Sequence, residues 1–473
     1  MHIAENGHFP RLRQDIWLKP MQGYALVHGH HPSSIGMLHP SHAFFLALCD
    51  GRLGGAELAY LYGETYGLAP AEAETEAAGL LGLHEALLAS GEGATWGTPA
   101  GACRTNRFSP RRFLYPGDDR LLASAAFGQW PVPAGINITL TFQCNFACSY
   151  CYQDLSQTGD RRWDLGKCRE LIEEAADWGV VFLGLTGGEP TIFKGWLELL
   201  EHGLERGMIP VMTSNGSVIG GDRSIAERLA AAGMREMTIS LDAGTPALHD
   251  AVTGSRGHFP RVLNAIRHLV DAGIRVVVKS VLTPATQHGV DEMIDLLVSL
   301  GVAEIGITQM EGGAVGSGAN SAPGLSLAER QLVRETVLAR RARYAGLCAI
   351  HPPKGNGRPW REDEWYPCGG LNMGMSIFPS GEVTVCDKMH GVKDFTYGNV
   401  FAAGLKEIWN GEAFAALRAR TLDQALVDPD CARCSKLGHC RTACFVDAFN
   451  ATGSYYAKDP HCGGPFLHDR LCS

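Results

Sequence analysis

The 473-residue chain predicts an α/β protein: a partial (β/α)6 barrel with a winged-helix-like module before it and a cysteine-rich domain after it. Three observations carry this. Between about residues 135 and 346, short apolar β-branched runs alternate six times with stretches of helical period, the pattern of a parallel sheet covered by helices. Residues 8–98 open with two strand-like runs and continue as three helical ones. Beyond about residue 346 the alternation stops and Cys, Gly and Pro become frequent, as in a domain held by metal rather than by an apolar core.

The barrel strands are read as INITLTF (136–142), VVFLGLT (180–186), PVMTSN (210–215), EMTISLD (236–242), RVVVKSVL (275–282) and EIGITQM (304–310). Between them lie amphipathic segments such as LGKCRELIEEAADW and FPRVLNAIRHLVDAG, the latter closed by Gly273. In such a barrel the chemistry sits where strands end and βα loops begin. The N-terminal module has candidate strands IWLKP and GYALVHG, then helices in HPSHAFFLALCD, GAELAYLYGETYG and EAETEAAGLLGLHEALLAS. The expected boundaries are 1–100 for the first module, 101–130 for a linker, 131–345 for the barrel and 346–473 for the cysteine-rich domain.

Composition excludes several classes. Hydrophobic and charged fractions of 45% and 19% are those of a globular chain, and the net charge of −9 comes with no Lys/Arg run that would mark a nucleic-acid face. The longest uncharged stretch, from Arg120 to Asp154, is broken by Pro131, Pro133, Asn137, Gln143 and three cysteines, so no membrane span is expected. No basic-then-apolar N-terminus marks a secretory signal, which points to the cytoplasm. Fifteen cysteines in a reducing compartment are better read as metal ligands than as disulfides.

The segment TFQCNFACSYCYQ places Cys144, Cys148 and Cys151 as C-x3-C-x2-C directly after the first barrel strand. Three thiolates on a tight loop can hold three irons of a cubane and leave the fourth open, whereas four cysteines are the ordinary set. A zinc knuckle would need a fourth ligand, and no Cys or His follows nearby. At the end of the second strand, LTGGEP (185–190) pairs glycines, which let backbone approach a ligand, with a carboxylate that can accept from an ammonium group. TSNG (213–216) and ISLD (239–242) end the next two strands. Asp242 there reads either as a base or substrate-positioning group, or as a turn or N-cap residue.

The cysteine loop resembles the signature of the radical S-adenosylmethionine (SAM) superfamily, in which SAM's amino and carboxylate groups occupy the open iron of a [4Fe-4S] cluster. Tyr150 matches the aromatic residue that precedes the third cysteine. The resemblance implies that Gly187, Gly188, Glu189 and Pro190 line the methionine end of SAM, that Ser214, Asn215 and Ser240 contact its ribose and carboxylate, and that Arg256 pairs with the carboxylate. It also implies a 5′-deoxyadenosyl radical that takes hydrogen from substrate, and an electron donor such as flavodoxin or ferredoxin.

Further on, Cys368, Gly381, Cys386 and the run Cys431-x2-Cys434-x5-Cys440-x3-Cys444, followed by Cys462, resemble the seven-cysteine SPASM extension of radical SAM peptide-modifying enzymes. That resemblance assigns Cys431, Cys434, Cys440 and Cys462 to an outer auxiliary cluster and Cys368, Cys386 and Cys444 to an inner one, for three [4Fe-4S] clusters in all. The inner set is one ligand short. Cys348 or a substrate thiolate would complete it. A zinc ribbon is the competing reading of the Cys431–Cys434 spacing. Cys49, Cys103, Cys168 and Cys472 are read as unligated.

Residues 8–98 resemble the peptide-recognition module related to the pyrroloquinoline-quinone peptide chaperone, which captures a precursor by strand addition; a structural capping domain is the alternative. The three parts together resemble a maturase acting on a precursor peptide or small protein subunit. The architecture is most similar to the quinohemoprotein amine dehydrogenase maturation family, which joins cysteine sulfur to the methylene carbon of Asp or Glu. Carbon–carbon cross-linking or decarboxylation of the peptide, sulfatase activation, and a non-catalytic iron-sulfur scaffold or electron-transfer protein are the alternatives.

Overall fold

A computed structural model describes residues 9–13, 16–20, 24–29, 35–89, 108, 110–114, 132–309, 325–353, 368–372, 374–421, 423–434, 437, 444–460 and 462. The chain divides into two compact units, Met1–Gly128 and Gln129–Ser473. Cys103, Cys440, Cys472 and most of the expected linker lie outside the described residues.

In the first unit, β1 (Ile16–Pro20), β2 (Ala25–Gly29) and β3 (Ile35–Leu38) form an antiparallel sheet in that order. Three helices follow, Pro40–Leu48, Gly55–Tyr66 and Pro70–Leu83. The starts of the first two are capped locally: His39 Nδ1 accepts the Ser41 N–H at 3.3 Å, and the Glu57 carboxylate accepts the Gly54 N–H at 2.8 Å. Ile16, Leu18, Val27, Phe45, Leu58 and Leu80 are buried together. The third strand, IGML, is an addition to the two expected. Four apolar residues beside a helix cap carry too little alternation to be told from a loop.

In the second unit the six expected strands form in sequence as β4 (Gly135–Thr139), β5 (Phe182–Thr186), β6 (Ile209–Ser214), β7 (Glu236–Ser240), β8 (Arg275–Leu282) and β9 (Glu304–Gln309), each parallel to the next. The helix Leu165–Trp178 starts where Asp164 accepts the Lys167 N–H at 2.8 Å and buries Leu171, Ile172 and Ala175 against the sheet. The helix Phe259–Asp271 buries Val262, Ala265, Ile266 and Leu269, one face at spacings of three and four.

The alternation runs further than expected. The helix Leu327–Arg343 leads into β10 (Ala349–His351), parallel to β9 at one edge of the sheet. At the opposite edge β11 (Gly374–Ile377) pairs in parallel with β4, and β12 (Glu382–Thr384) and β13 (Thr396–Asn399) continue antiparallel. Among the described residues the result is one sheet of ten strands. The cysteine-rich region therefore grows out of the barrel sheet. It also has an apolar core, contrary to the expectation: Phe395, Tyr397, Trp409, Phe414 and Phe445 are buried in the same cluster as the barrel residues. The Gly381 in its cysteine pattern turns β11 into β12 at φ +79°, where a Cβ would stand 2.3 Å from the Phe401 ring.

Candidate active site

The loop after β4 carries Cys144, Cys148 and Cys151, and main-chain hydrogen bonds clamp it from two sides. On one, Gly188 N–H donates to Thr141 O and Glu189 N–H to Gln143 O, both at 2.9 Å. On the other, Ala147 N–H donates to Thr253 O at 2.9 Å and Ser149 N–H to Val252 O at 2.8 Å, at the end of the helix Pro246–Thr253. A Cβ on Gly188 would stand 2.2 Å from Gln143 O, and one on Gly187 2.6 Å from Thr141 O. The paired glycines are thus required by the loop itself. Phe146 anchors the loop's middle, buried with its ring edge-on to His258.

The three thiols face one cavity of about 520 Å³ at the mouth of the barrel. Burial pushes the Cys148 thiol up to about 12 and raises Cys144 and Cys151 too. Buried thiols of this kind ionise only against a positive partner such as iron. Cys144 Sγ already accepts the Phe146 N–H at 3.4 Å. Among the described residues no three His, Cys, Asp or Glu side chains converge on a single-ion position. Three thiols on one cavity suit a cluster, in which each ligates its own iron.

Gly187, Gly188, Glu189, Ser214, Asn215, Ser240 and Asp242 line the same cavity. Pro190 is buried just behind it in the short turn Pro190–Ile192. Arg256 is exposed and is not among the residues that line the cavity, so the structure does not bring it to the site.

Glu189 is buried and heavily bonded. Its Oε1 accepts from Ser214 Oγ at 2.7 Å, from the Thr191 N–H at 3.0 Å and from the Thr191 hydroxyl, while Oε2 takes the Asn215 N–H at 2.8 Å. Burial raises this carboxyl, and the four donors oppose that rise. Oε2, with one donor, keeps a lone pair for a cation in the cavity. Asn215 is held in turn: its amide donates to Asn145 at 2.8 Å and accepts from the Ser217 hydroxyl at 2.7 Å. The Ser214 and Asn215 side chains thus brace Glu189 and the cysteine loop, a role that reading them singly as SAM contacts missed. Thr191, Asn145 and Ser217 complete the network, without any motif to signal them.

Asp242, two residues past β7, is buried. Its Oδ1 accepts the Val281 N–H at 2.8 Å and its Oδ2 the Tyr150 hydroxyl at 2.5 Å. Burial pushes the carboxyl up to about 6. It is therefore no exposed turn residue. Beside it Lys279, Thr308, Tyr152, Asp387 and Lys388 line the rest of the cavity. Asp387 is bonded to Ser376, and Lys388 pairs with Asp447 at 2.9 Å.

In the cysteine-rich region, the Cys368 thiol bears electrostatically on those of Cys386 and Cys444, and those of Cys434 and Cys462 bear on Cys431. The two groups match the inner and outer sets, with Cys440 outside the described residues. Cys348 joins neither. It precedes β10, at the far edge of the sheet from β11, with Glu304 and Arg275 as its charged neighbours. Of the two completions expected for the inner set, Cys348 and a substrate thiolate, sheet order disfavours Cys348, since six strands stand between β10 and β11, which linear spacing does not encode.

A parallel partial barrel with a three-cysteine loop and a Gly-Gly-Glu turn at its mouth defines a radical SAM enzyme. Residues 138–297 match the radical SAM superfamily, and residues 368–435 match SPASM, an iron-sulfur cluster-binding domain. This chain is accordingly a radical SAM/SPASM enzyme. A PqqA peptide cyclase of Streptomyces rochei is 29% identical over 342 residues, covering 70% of this chain and 89% of that protein. The mycofactocin maturase MftC of Mycolicibacterium smegmatis is 25% identical over 343 residues, 71% of this chain and 85% of its own. The fold resembles that of Streptococcus suis SuiB bound to S-adenosylmethionine, with a TM-score of 0.68 at 18% identity over 96% of this chain and 99% of that one. Among the described residues no helix is long and apolar enough to cross a membrane.

Proposed function

We propose that this enzyme modifies side chains of a ribosomally made precursor peptide or small protein subunit in the cytoplasm, joining a cysteine sulfur to the side-chain carbon of an Asp or Glu. The carrying observation is the composition of one cavity, which Cys144, Cys148 and Cys151 line together with Asp242 and Lys279. The relatives favour a peptide substrate, since they are named for a peptide cyclase and a maturase, and SuiB has also been solved bound to its precursor peptide SuiA.

Cys144, Cys148 and Cys151 would hold the catalytic cluster, Cys431, Cys434, Cys440 and Cys462 the outer auxiliary one, and Cys368, Cys386 and Cys444 the inner one. When bound, cluster and SAM would supply the one-electron bond cleavage that lets an unactivated carbon lose hydrogen, and an auxiliary cluster would take up the one electron left over when sulfur joins that carbon. The chain's own residues do the rest. Glu189 Oε2 holds an ammonium group. Asp242 takes the proton of the substrate thiol, for which a carboxyl near 6 is suitably poised. The Lys279 ammonium holds a substrate carboxylate, the pairing an acidic residue at the modified position calls for. The first unit grips the precursor by strand addition to its sheet, which raises its effective concentration at the barrel; a flavodoxin or ferredoxin supplies electrons.

Incubation of the reconstituted enzyme with SAM and a synthetic peptide containing Cys, Asp and Glu, or co-expression with such a polypeptide where a neighbouring reading frame encodes one, tests the reading by mass spectrometry. Loss of two hydrogens, with the cysteine no longer alkylatable, is expected. The same loss with cysteine still alkylatable would turn the assignment to the carbon–carbon cross-link. Removing residues 1–98 is expected to spare the slow uncoupled SAM cleavage and to reduce precursor modification strongly.

A further inference from the structure

Tyr397 lies on β13, is only 4% exposed, and its hydroxyl has no hydrogen-bond partner among the described residues. A buried phenol hydroxyl left unbonded costs free energy, so a native site that keeps one has a partner for it. The ring is fixed against Phe414, with centroids 4.4 Å apart, and cannot swing out to water. The groups that bear on the hydroxyl are the thiols of Cys368 and Cys386. Cys368, Cys386 and Cys444, all half-buried, pack against the apolar core that contains Tyr397, and β13 pairs with β12, which ends two residues before Cys386; since Cys368 also bears on Cys386 and on Cys444, the phenol and three thiols lie at one site.

Main-chain donors already converge there. The N–H groups of Gly370 and Leu371 point at Cys368, that of Lys388 at Cys386, and that of Asp447 at Cys444 Sγ across 3.4 Å. Such a ring of donors is the cradle an iron-sulfur cluster needs, because its sulfurs carry negative charge. Tyr397 adds a side-chain hydroxyl to this set. As a fourth ligand it would have to lose its proton beside three thiolates and bury a further negative charge, so donation is the better use of the group.

We propose that Tyr397 is a positioning residue that donates a hydrogen bond to a sulfur of the inner auxiliary cluster and raises that cluster's reduction potential. The donor stabilises the more negative, reduced cluster more than the oxidised one. This rests on Cys368, Cys386 and Cys444 being that cluster's ligands. The tuning matters because the site adjoins the reaction cavity: Tyr152, on the cavity wall, feels both Cys386 and Cys151 of the catalytic loop.

The test uses the full chain, reconstituted anaerobically, with Cys144, Cys148 and Cys151 replaced by Ala so that only auxiliary clusters report. Adding Tyr397→Phe should leave iron content unchanged and move one of the two reductive transitions to more negative potential, the other staying in place. Protein reconstituted in D2O should in parallel lose an exchangeable-proton coupling to the reduced cluster when Tyr397 becomes Phe. Two unmoved transitions at full iron content would overturn the proposal. Loss of four irons on Tyr397→Phe would overturn it as well, by making Tyr397 a ligand. Separately, Cys368→Ala and Cys386→Ala proteins that kept all auxiliary iron would remove the inner cluster itself, whatever Tyr397 did.

Discussion

The Tyr150 hydroxyl donates to Asp242 Oδ2 across 2.5 Å, tying the cysteine loop after β4 to the end of β7. One residue therefore belongs both to the loop that would hold the cluster and to the wall where the substrate would lie. Asp242 also accepts the Val281 N–H, so its carboxylate is oriented from two elements before anything binds.

Asp242→Asn keeps the size and the bond from Val281 but cannot ionise. SAM cleavage should survive better than cross-link formation, measured side by side as 5′-deoxyadenosine and modified peptide. With its carboxyl pushed up to about 6, Asp242 loses its charge as pH falls through that value. Cross-links formed per SAM cleaved should then drop about tenfold for each pH unit below 6 in the parent and stay low and flat in the variant. Equal loss of both products would remove Asp242 from the chemistry.

The three loop cysteines are separable from the rest of the iron. With four irons per cubane, the reconstituted chain should carry about twelve, and the Cys144→Ala, Cys148→Ala, Cys151→Ala protein about eight. That variant should produce no 5′-deoxyadenosine. Normal production would show that the catalytic site lies elsewhere.

Much of this was legible in the sequence because the informative residues are local. The six barrel strands follow from runs such as RVVVKSVL, and the cysteine loop from its spacing and its place after β4. Lys279 carries a signal of its own, as the charge that interrupts the apolar run following Arg275 in β8. What stayed illegible is what the fold brings together from afar. Ser214 and Asn215 support Glu189, 25 and 26 residues earlier in the chain. Strands as short as β11 to β13 have too few alternations to announce themselves, and the pairing of β11 with β4 is a contact across more than 230 residues of chain.

Cys348 illustrates the same limit and yields a direct check. Spacing alone made it a ligand candidate, yet it sits before β10 beside Glu304 and Arg275, and burial pushes its thiol up to about 11. Cys348→Ala should leave iron content and the reduced-cluster spectrum of the reconstituted protein unchanged. Loss of iron from that variant would mean that the sheet edges meet around a shared cluster.

Gly188 links the Gly-Gly-Glu turn to the cysteine loop by contact rather than by chemistry. A methyl group there would stand 2.2 Å from Gln143 O and 2.8 Å from Phe142 O, both main-chain atoms that cannot rotate away. Gly188→Ala must therefore push the loop outward and strain the bonds from Gly188 to Thr141 and from Glu189 to Gln143. The auxiliary cysteines lie on later segments of the chain, outside the displaced loop. The expected result is loss of about four of twelve irons and of SAM cleavage, with the auxiliary signals intact and a stability cost of about 1–3 kcal/mol, the range for overpacking a close contact. If the glycine served SAM alone, the variant would keep all its iron and show only weakened SAM binding, and iron analysis beside a SAM titration separates the two.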